Sequence, residues 1–172
     1  MSTRFAGVVI GVVTNRDDPD HQGRVQVQFP WLDNELRSAW ASIAAPMAGG
    51  GRGVFFMPEE RDEVLLAFQH GDFDHPFIVG FMWNGVHEPP SSDVRQRMIR
   101  SVNGHCIRFV DSTPDAGSSG ALIIEDAHGN TVTMTNAKVS VRSQAVLELY
   151  APTIVLSGPG YSRVVLPTTK PI

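Results

Sequence analysis

The chain has 172 residues, of which 42% are hydrophobic and 19% are charged, and its formal net charge is −4. This composition provides enough apolar residues for one ordinary core plus an appendage, and it does not indicate disorder. The acidic balance and the lack of a block of Lys or Arg argue against nucleic acid as a partner. Cys106 is the single cysteine, so it cannot form an intrachain disulfide, and we interpret it as a small core residue.

Residues 1–87 predict a small barrel of five or six short strands. Turn signals separate the candidate strands, because Gly, Pro and Asp favour turn conformations. The signals are Asp18-Pro19-Asp20, Gly49-Gly50-Gly51 and Gly71-Asp72. The candidate strands are residues 5–13, 24–29, 39–44, 53–57, 63–68 and 77–81.

Residues 88–101 predict a linker or neck. The run Glu88-Pro89-Pro90-Ser91-Ser92 contains two adjacent prolines, which fix φ and remove backbone donors, so we expect extended chain and a domain boundary here. Residues 93–100 are the one stretch with moderate helix compatibility. The chain as a whole is therefore predicted to be all-β.

Short apolar pairs recur through residues 121–157, and they return every seven or eight residues from Val132 to Ile154. Apolar and polar positions alternate inside each pair, which is typical of strands. We expect these segments to be too short for useful hairpins and to form a solenoid whose rungs come from identical copies around one axis. The predicted interior residues of this assembly are Val132, Met134, Val139, Val141, Leu147, Leu149, Ile154 and Leu156.

The sequence after the last pair predicts an end to the solenoid. Gly158-Pro159-Gly160 is expected to stop it, and the tail to Ile172 is expected to be a separate, extended finish. Residues 163–166 leave open the alternative of one last rung.

Two acidic turns are the nearest approach to a catalytic or metal site. One holds Asp17, Asp18, Asp20 and His21, and the other is Asp72-Phe73-Asp74-His75. Carboxylates in such loops usually accept bonds from backbone N–H groups, so we expect a structural role. No catalytic or zinc-binding motif has the required spacing, and we expect no enzyme activity, no metal and no cofactor.

Aromatic residues of the first 87 residues could in principle stack on bases. The residues are Trp31, Trp40, Phe55, Phe56 and Trp83. Their arginine neighbours are balanced by acidic residues, whereas binding of single strands needs a basic groove. We therefore expect these aromatic side chains in a core or in a subunit interface.

An ordered series of motifs in the first 87 residues carries a resemblance to a known family. The series is Gly7-Val8-Val9, Thr14-Asn15, Asp17-Asp18-Pro19, the run from Gly23 to Trp31, Trp40, Pro58, Asp62-Glu63-Val64, the run from Gly71 to Pro76, Val79-Gly80 and Trp83-Asn84. It resembles the oligonucleotide/oligosaccharide-binding (OB) barrel of the phage baseplate assembly protein V and VgrG family. Proteins of that family are the central spikes of contractile tails and type VI-like injection systems.

The resemblance continues beyond the linker through Ile99-Arg100-Ser101, Gly104-His105, Phe109-Val110-Asp111 and Gly129-Asn130. It implies an OB barrel over residues 1–87, a neck over 88–101 and an intertwined triple-stranded β-helix over 102–172. The chain would be a non-enzymatic homotrimeric needle that helps to puncture a target envelope. The short sequence carries no segment like the family's fused hub, lysozyme or effector domains.

The resemblance also implies partners. We expect a separate trimeric hub protein at the barrel end, a PAAR-repeat tip protein at the C-terminal end, and transient contact with the target membrane. The residues predicted to meet the tip are Ser157, Gly158, Pro159, Gly160, Val164, Val165 and Leu166. No leader is recognisable, so we expect assembly in the bacterial cytoplasm as part of a tail or tail-like particle.

Three other functions remain open on the sequence alone. The chain could be a trimeric carbohydrate-binding fibre, an OB-fold binding module, or a trimerising scaffold of an unrelated complex. Tyr150 and Tyr161 are the only aromatic residues after Met134, which is few for a row of sugar platforms. Glycan-array binding by the isolated protein would identify the first of these functions.

Overall fold

A computed structural model describes residue 5, residues 7–113 and residues 119–165. The chain divides into two compact units between Pro89 and Pro90. Regular structure in the described residues is almost entirely strand, so the all-β prediction is confirmed. No helix in these ranges is long and apolar enough to cross a membrane.

The described residues of the first unit form eight strands and one short 3-10 helix, Gln69–Gly71. The strands are β1 (Val8–Asn15), β2 (Gln26–Phe29), β3 (Asp33–Arg37), β4 (Ser42–Ile43), β5 (Ala48–Gly49), β6 (Arg52–Gly53), β7 (Glu63–Phe68) and β8 (Pro76–Met82).

Six of these strands form one sheet that closes on itself. Their order is β3-β2-β1-β7-β8-β4, and β4 runs parallel to β8 whereas the other pairs are antiparallel. Val25, before β2, and Ala41, before β4, exchange two backbone hydrogen bonds of 3.0 and 2.8 Å. This bridge joins the two sides of the sheet, so the unit is a small closed barrel.

The barrel encloses the main hydrophobic core of the described chain. Alternate side chains of β2 and β7 point inward because successive residues of a strand face opposite sides. Phe5, Phe68 and Phe73 pack together at centroid distances of 5.3 to 5.6 Å and add an aromatic layer. The buried core residues are Val13, Val25, Val27, Phe29, Ala41, Val64, Leu66, Phe68 and Ile78.

Two details of the first unit differ from the sequence-based expectation. Residues 54–59 have no regular structure, and the glycine-rich run forms a tight hairpin, with Ala48 opposite Gly53. Gly53 has φ of +150°, and a Cβ there would lie 2.6 Å from the Met47 carbonyl oxygen. The strand β3 was missed because its sequence, Asp33-Asn34-Glu35-Leu36-Arg37, has low β-propensity.

The second unit contains a five-stranded antiparallel meander and a separate hairpin. Its strands are β9 (Gln96–Arg100), β10 (Cys106–Val110), β11 (Ala121–Glu125), β12 (Thr131–Thr135), β13 (Val139–Arg142), β14 (Ile154–Gly158) and β15 (Tyr161–Val165). The meander has the order β13-β12-β11-β10-β9, and β14 pairs with β15.

The expectation that the apolar pairs are too short for hairpins is wrong for the single chain. β11 pairs with β12 over five residues and β12 pairs with β13 over four. The helix-compatible stretch also adopts strand structure, because β9 pairs along its whole length with β10. Tertiary pairing therefore overrides the local preference of residues 96–100.

The prediction that Gly158-Pro159-Gly160 ends the strand region is wrong, because another strand follows it. Gly158 pairs with Tyr161, and Pro159-Gly160 forms the two-residue turn between β14 and β15. Gly160 has φ of +83°, a left-handed conformation that glycine adopts without steric cost. The chain thus returns along β15. This strand includes residues 163–165, where the sequence left open one last rung.

Candidate functional site

One face of the meander carries nearly all of its large apolar side chains. The register sets Ile107 beside Ile99 and Ile124, and it sets Val132 beside Ile124 and Val141. A second row runs beside this one from β10 to β13 and joins Phe109, Leu122, Met134 and Val139. We call this surface the apolar face, and its residues are Ile99, Ile107, Phe109, Leu122, Ile124, Val132, Met134, Val139 and Val141.

The apolar face has no covering layer within the described chain. Val139 is 66% exposed and Val141 is 55% exposed, although both lie in a regular strand. Cys106 is the single buried hydrophobic residue that the structure describes in the second unit. A sheet with one apolar face is stable only when another layer covers that face, so the second unit is incomplete as a single copy.

The opposite face of the meander is mixed, because Met98, Val110 and Ile123 lie there among polar side chains. Arg108 donates to Glu125 at 3.0 Å across β10 and β11, and Thr133 and Ser140 are cross-strand neighbours on the same side. The Arg108 Nε atom is buried without a partner among the described atoms. This face is the less exposed of the two in a single copy, since it also holds the buried Cys106.

The structure brings half of the predicted interior residues together. Val132, Met134, Val139 and Val141 lie side by side on the apolar face. The prediction omitted residues of β9, β10 and β11 from the same face, although period-two alternation at Leu122 and Ile124 already signalled them. Their position inside a trimer stays a prediction.

The other predicted interior residues lie outside the meander. Leu147 and Leu149 belong to an irregular segment, and both are exposed. Ile154 and Leu156 share one side of β14, where Leu156 is exposed. A two-stranded hairpin such as β14–β15 is marginal by itself, so this element also requires a covering partner.

A hollow of about 730 Å³ lies over the first apolar row. Ile107, Ile124 and Val132 form part of its wall, and Leu147 and Ile99 also line it. The chain bends over this hollow after β13, where the Gln144 backbone N–H donates to Asn130 Oδ1 at 2.8 Å and its side-chain amide donates to the Gly129 carbonyl at 3.0 Å.

The residues predicted to meet a tip protein lie on the β14–β15 hairpin. Ser157 and Gly158 end β14, Pro159 and Gly160 form the turn, and Val164 lies in β15 with its side chain exposed. Val165 is the last residue of β15, and Leu166 lies outside the described residues.

The first acidic turn is organised around the buried carboxylate of Asp18. This carboxylate accepts backbone N–H bonds from Asp20, Gln22 and Arg24, and it receives two guanidinium bonds from Arg24 at 2.7 and 3.0 Å. The Arg24 guanidinium, followed by the backbone donors, holds the Asp18 pKa well below its ordinary value against the opposing effect of burial. The Asp18 carboxylate oxygens thus accept hydrogen bonds that fix the loop between β1 and β2.

The second acidic turn has the same structural character. Asp72 accepts from the backbone N–H of Asp74 at 3.1 Å and contacts His75 Nδ1 at 3.0 Å. These bonds lower the Asp72 pKa, the backbone bond being the larger cause. Within the described residues, no group of three or more His, Cys, Asp or Glu side chains is arranged to hold a metal ion.

Four of the five aromatic residues considered as stacking surfaces lie on the surface of the barrel. Phe55 is 76% exposed, and Phe56, Trp31 and Trp83 are each at least half exposed. The interpretation as core residues is therefore wrong for these four, and the interpretation as interface residues stays a prediction. Trp40 is half-buried, and the Arg24 guanidinium lies over its ring. The distance from Arg24 Cζ to the centroid of the Trp40 ring is 5.9 Å.

Comparison with known proteins identifies the first unit. Residues 9–83 match a family profile described as the Type VI secretion system/phage-baseplate injector OB domain. These limits run from the second residue of β1 to just beyond β8, so the profile covers the closed barrel. The order of the six strands and the parallel pairing of β4 with β8 agree with an OB-type barrel.

Several curated proteins are similar to the chain. The type VI secretion system spike proteins VgrG4b and VgrG2a of Pseudomonas aeruginosa are each 31% identical to it, over 69% and 70% of this chain but only 14% and 15% of their own length. The actin cross-linking toxin VgrG1 of Vibrio cholerae is 35% identical over 41% of this chain and 7% of its own length.

The chain thus spans about one seventh of the two Pseudomonas relatives. The first unit ends at Pro89, so a match over 69% of 172 residues extends into the second unit. Both the barrel and part of the following sheet therefore share sequence with spike proteins. On this evidence the chain belongs to the VgrG and baseplate assembly protein V type of spike protein, with an injector OB domain at residues 9–83.

Proposed function

We propose that the chain is a structural, non-enzymatic spike of a contractile phage tail or a phage-tail-like injection system. In this function three copies form a rigid needle that joins a baseplate hub to a tip protein and helps to puncture the target cell envelope. The uncovered apolar face of the meander is the observation that carries the proposal. Among its described residues a single copy has no layer that buries that face, whereas three copies around one axis would bury it in a shared interior.

The energetic argument rests on burial of the apolar face. Each fully buried Val, Leu, Ile, Phe or Met side chain contributes about 2 kcal/mol relative to exposure, before entropy costs. Nine such side chains lie on the apolar face of each copy, and the three-fold assembly repeats them three times. The resulting interior would be a continuous dry core without a ligand.

Stiffness is the property that such a needle needs. Strands joined along their length share the load over many backbone hydrogen bonds, so bending requires several of them to break together. Force transmission of this kind requires no active site, which agrees with the structural use of Asp18 and Asp72 in turns. The toxin activity named for the Vibrio relative belongs to a protein of which the matched region covers only 7%.

Two surfaces of the described chain are proposed to bind partner proteins. We propose that the exposed aromatic side chains of the barrel, including Phe55 and Trp83, provide the surface for a separate trimeric hub. The β14–β15 hairpin is proposed as the seat of a PAAR-repeat tip protein. Assembly is proposed to occur in the bacterial cytoplasm before delivery to the target envelope.

The native mass of the purified protein tests the proposal. Light scattering of the full chain is expected to give three times 18.8 kDa, about 56 kDa. A variant truncated after Pro89 keeps the barrel core but loses the apolar face, so its association is expected to weaken. A full-length chain that remains monomeric at micromolar concentration would contradict the proposed spike.

A further inference from the structure

A hollow in the first unit is lined largely by residues 42–56. Its volume is about 570 Å³, which falls within the range of sites that bind small molecules. The described residues around it all belong to the first unit, so it is separate from the hollow over the meander. The proposed spike function makes no use of this hollow.

Two apolar residues of the wall come from the inner side of the barrel sheet. Phe81 pairs with Val64, and directly opposite residues of antiparallel strands face the same side, here the side of the buried Val64. Phe81 is nevertheless 50% exposed. Ile43 pairs with the buried Ile78 and packs against the core. The hollow therefore exposes inward-facing apolar side chains that the described chain covers only in part.

Small side chains and a hairpin form the rest of the wall. Residues 44–46 are Ala-Ala-Pro, and the chain then turns through β5 and β6. The hairpin is closed by the Val54 backbone N–H, which donates to the Met47 carbonyl at 2.9 Å. Phe55 and Phe56 follow, and both are more than half exposed. The wall is thus apolar before and after the hairpin, as in sites that hold the apolar part of a ligand.

One positive charge accompanies this apolar wall. Arg52 is the one charged residue among the described residues that line the hollow. Its side chain lies over Gly49, because a Cβ built on Gly49 would lie 3.1 Å from Arg52 Nε. Within the described part of the chain, the Arg52 guanidinium has no ion pair. An unpaired guanidinium beside an apolar hollow is complementary to a ligand that joins an apolar body to one anionic group.

We propose that this hollow binds a single-chain carboxylate, such as a medium-chain fatty acid, with its alkyl chain against Ile43 and Phe81 and its carboxylate on Arg52. The inference goes beyond the proposed spike function and does not depend on the number of copies. The carboxylate and the guanidinium form charge-assisted hydrogen bonds, and burial of the alkyl chain provides most of the affinity. Each methylene group that enters the hollow should tighten binding about threefold.

Calorimetric titration of the full-length protein with matched amphiphiles tests the site. The probes are decanoate, decanol and decyltrimethylammonium, each below the concentration at which it aggregates, so they share one alkyl chain and differ in head group. Decanoate should bind once per chain and more tightly than decanol, and the cation should bind most weakly. Adsorption to exposed apolar surface would give the reverse order for the first two, because a charged head group favours water.

Variants of the wall test where the ligand binds. Arg52→Gln should weaken decanoate binding about fivefold and leave decanol binding unchanged. Arg100→Gln, at an exposed arginine of β9, is the matched control and should change neither. Ala45→Phe should weaken the binding of both probes, because the added ring occupies the hollow. Arg52 and Ala45 are exposed, so both variants are expected to keep the fold.

Several results would overturn the proposed site. Decanol binding as tightly as decanoate would show adsorption without recognition of the charge. An Arg52→Gln variant that binds decanoate as the unmodified protein does would remove the carboxylate from Arg52. Co-sedimentation with phosphatidylcholine vesicles, without saturable decanoate binding, would assign the hollow to a lipid surface instead. The trimer is tested separately by native mass, so failure here leaves the proposed spike in place.

Discussion

Asp18 shows how one carboxylate can organise a loop without chemistry. Its two oxygens accept three backbone donors and the guanidinium of Arg24, and Arg24 in turn lies over Trp40. Asp20 adds a second acidic partner to the same guanidinium, and the bonds to Asp18, first, and to Asp20 raise the pKa of Arg24. The loop between β1 and β2 is thus held by charge-assisted bonds on a buried group.

Replacement of Asp18 by Asn should destabilise the barrel at neutral pH. The variant loses the charge that Arg24 and three backbone donors require, whereas Asp17→Asn, at an exposed neighbour, should have little effect. The measurement is the urea midpoint of the barrel at pH 7. Equal midpoints for Asp18→Asn and the unmodified protein would show that the loop does not depend on this carboxylate.

The loss of stability caused by Asp18→Asn should depend on pH. The folded pKa of Asp18 lies below its unfolded value near 3.9, so its contribution is fully present above that value and is lost as the pH falls through the folded pKa. The difference in midpoint between the unmodified protein and Asp18→Asn should therefore narrow at pH 3. Asp93, whose pKa is lowered to about 2 mainly by Arg95, contributes in the same pH range in the second unit.

At the scale of elements, the meander is the part whose two faces differ most in chemistry. Its strands pair in register over four or five residues, so the apolar side chains form continuous rows rather than isolated points. A one-residue slip of any strand would move its apolar residues to the polar face. In the proposed trimer, the need to bury the apolar face would therefore fix the register.

Val141→Asp should abolish the proposed trimer. Three carboxylates would face one dry interior, and each buried unpaired charge costs several kcal/mol. Ser140→Asp is the matched control, because it places the same charge one residue away on the polar face of β13. Size-exclusion chromatography with light scattering should show a monomer for Val141→Asp and an unchanged trimer for Ser140→Asp. A normal trimer from Val141→Asp would remove the apolar face from the interior.

At the scale of the whole molecule, the two units differ in what they need to fold. The described part of the barrel buries nine hydrophobic residues within one chain. The second unit buries one among its described residues. We therefore expect the first unit to be stable by itself, and in the proposed trimer the stability of the second unit would depend on association.

Calorimetry at two protein concentrations should show which of the two units depends on association for its stability. We expect two unfolding transitions, of which the one that belongs to the second unit rises in temperature with protein concentration while the barrel transition stays constant. The truncated barrel identifies the constant transition. Two transitions that are both independent of concentration would contradict an associated second unit.

The sequence by itself determined the all-β class, the turns and the apolar side of most strands. A period of two identifies which residues share a face, as at Val132 and Met134, and the series from Gly7 to Asn84 was sufficient to indicate the injector barrel. Such a pattern does not predict which strand lies next to it, because any strand with an apolar side can pack beside the same face.

Only the tertiary structure decided the pairings. It joined β9, which has helix-compatible residues, to the apolar face, and it formed a strand from the polar run 33–37. It also placed four barrel aromatics at the surface and left residues 146–153 without regular structure. The physical reason is that strand pairing and burial depend on contacts between residues distant in sequence, so local periodicity fixes the face of a strand while the folded chain fixes its neighbours.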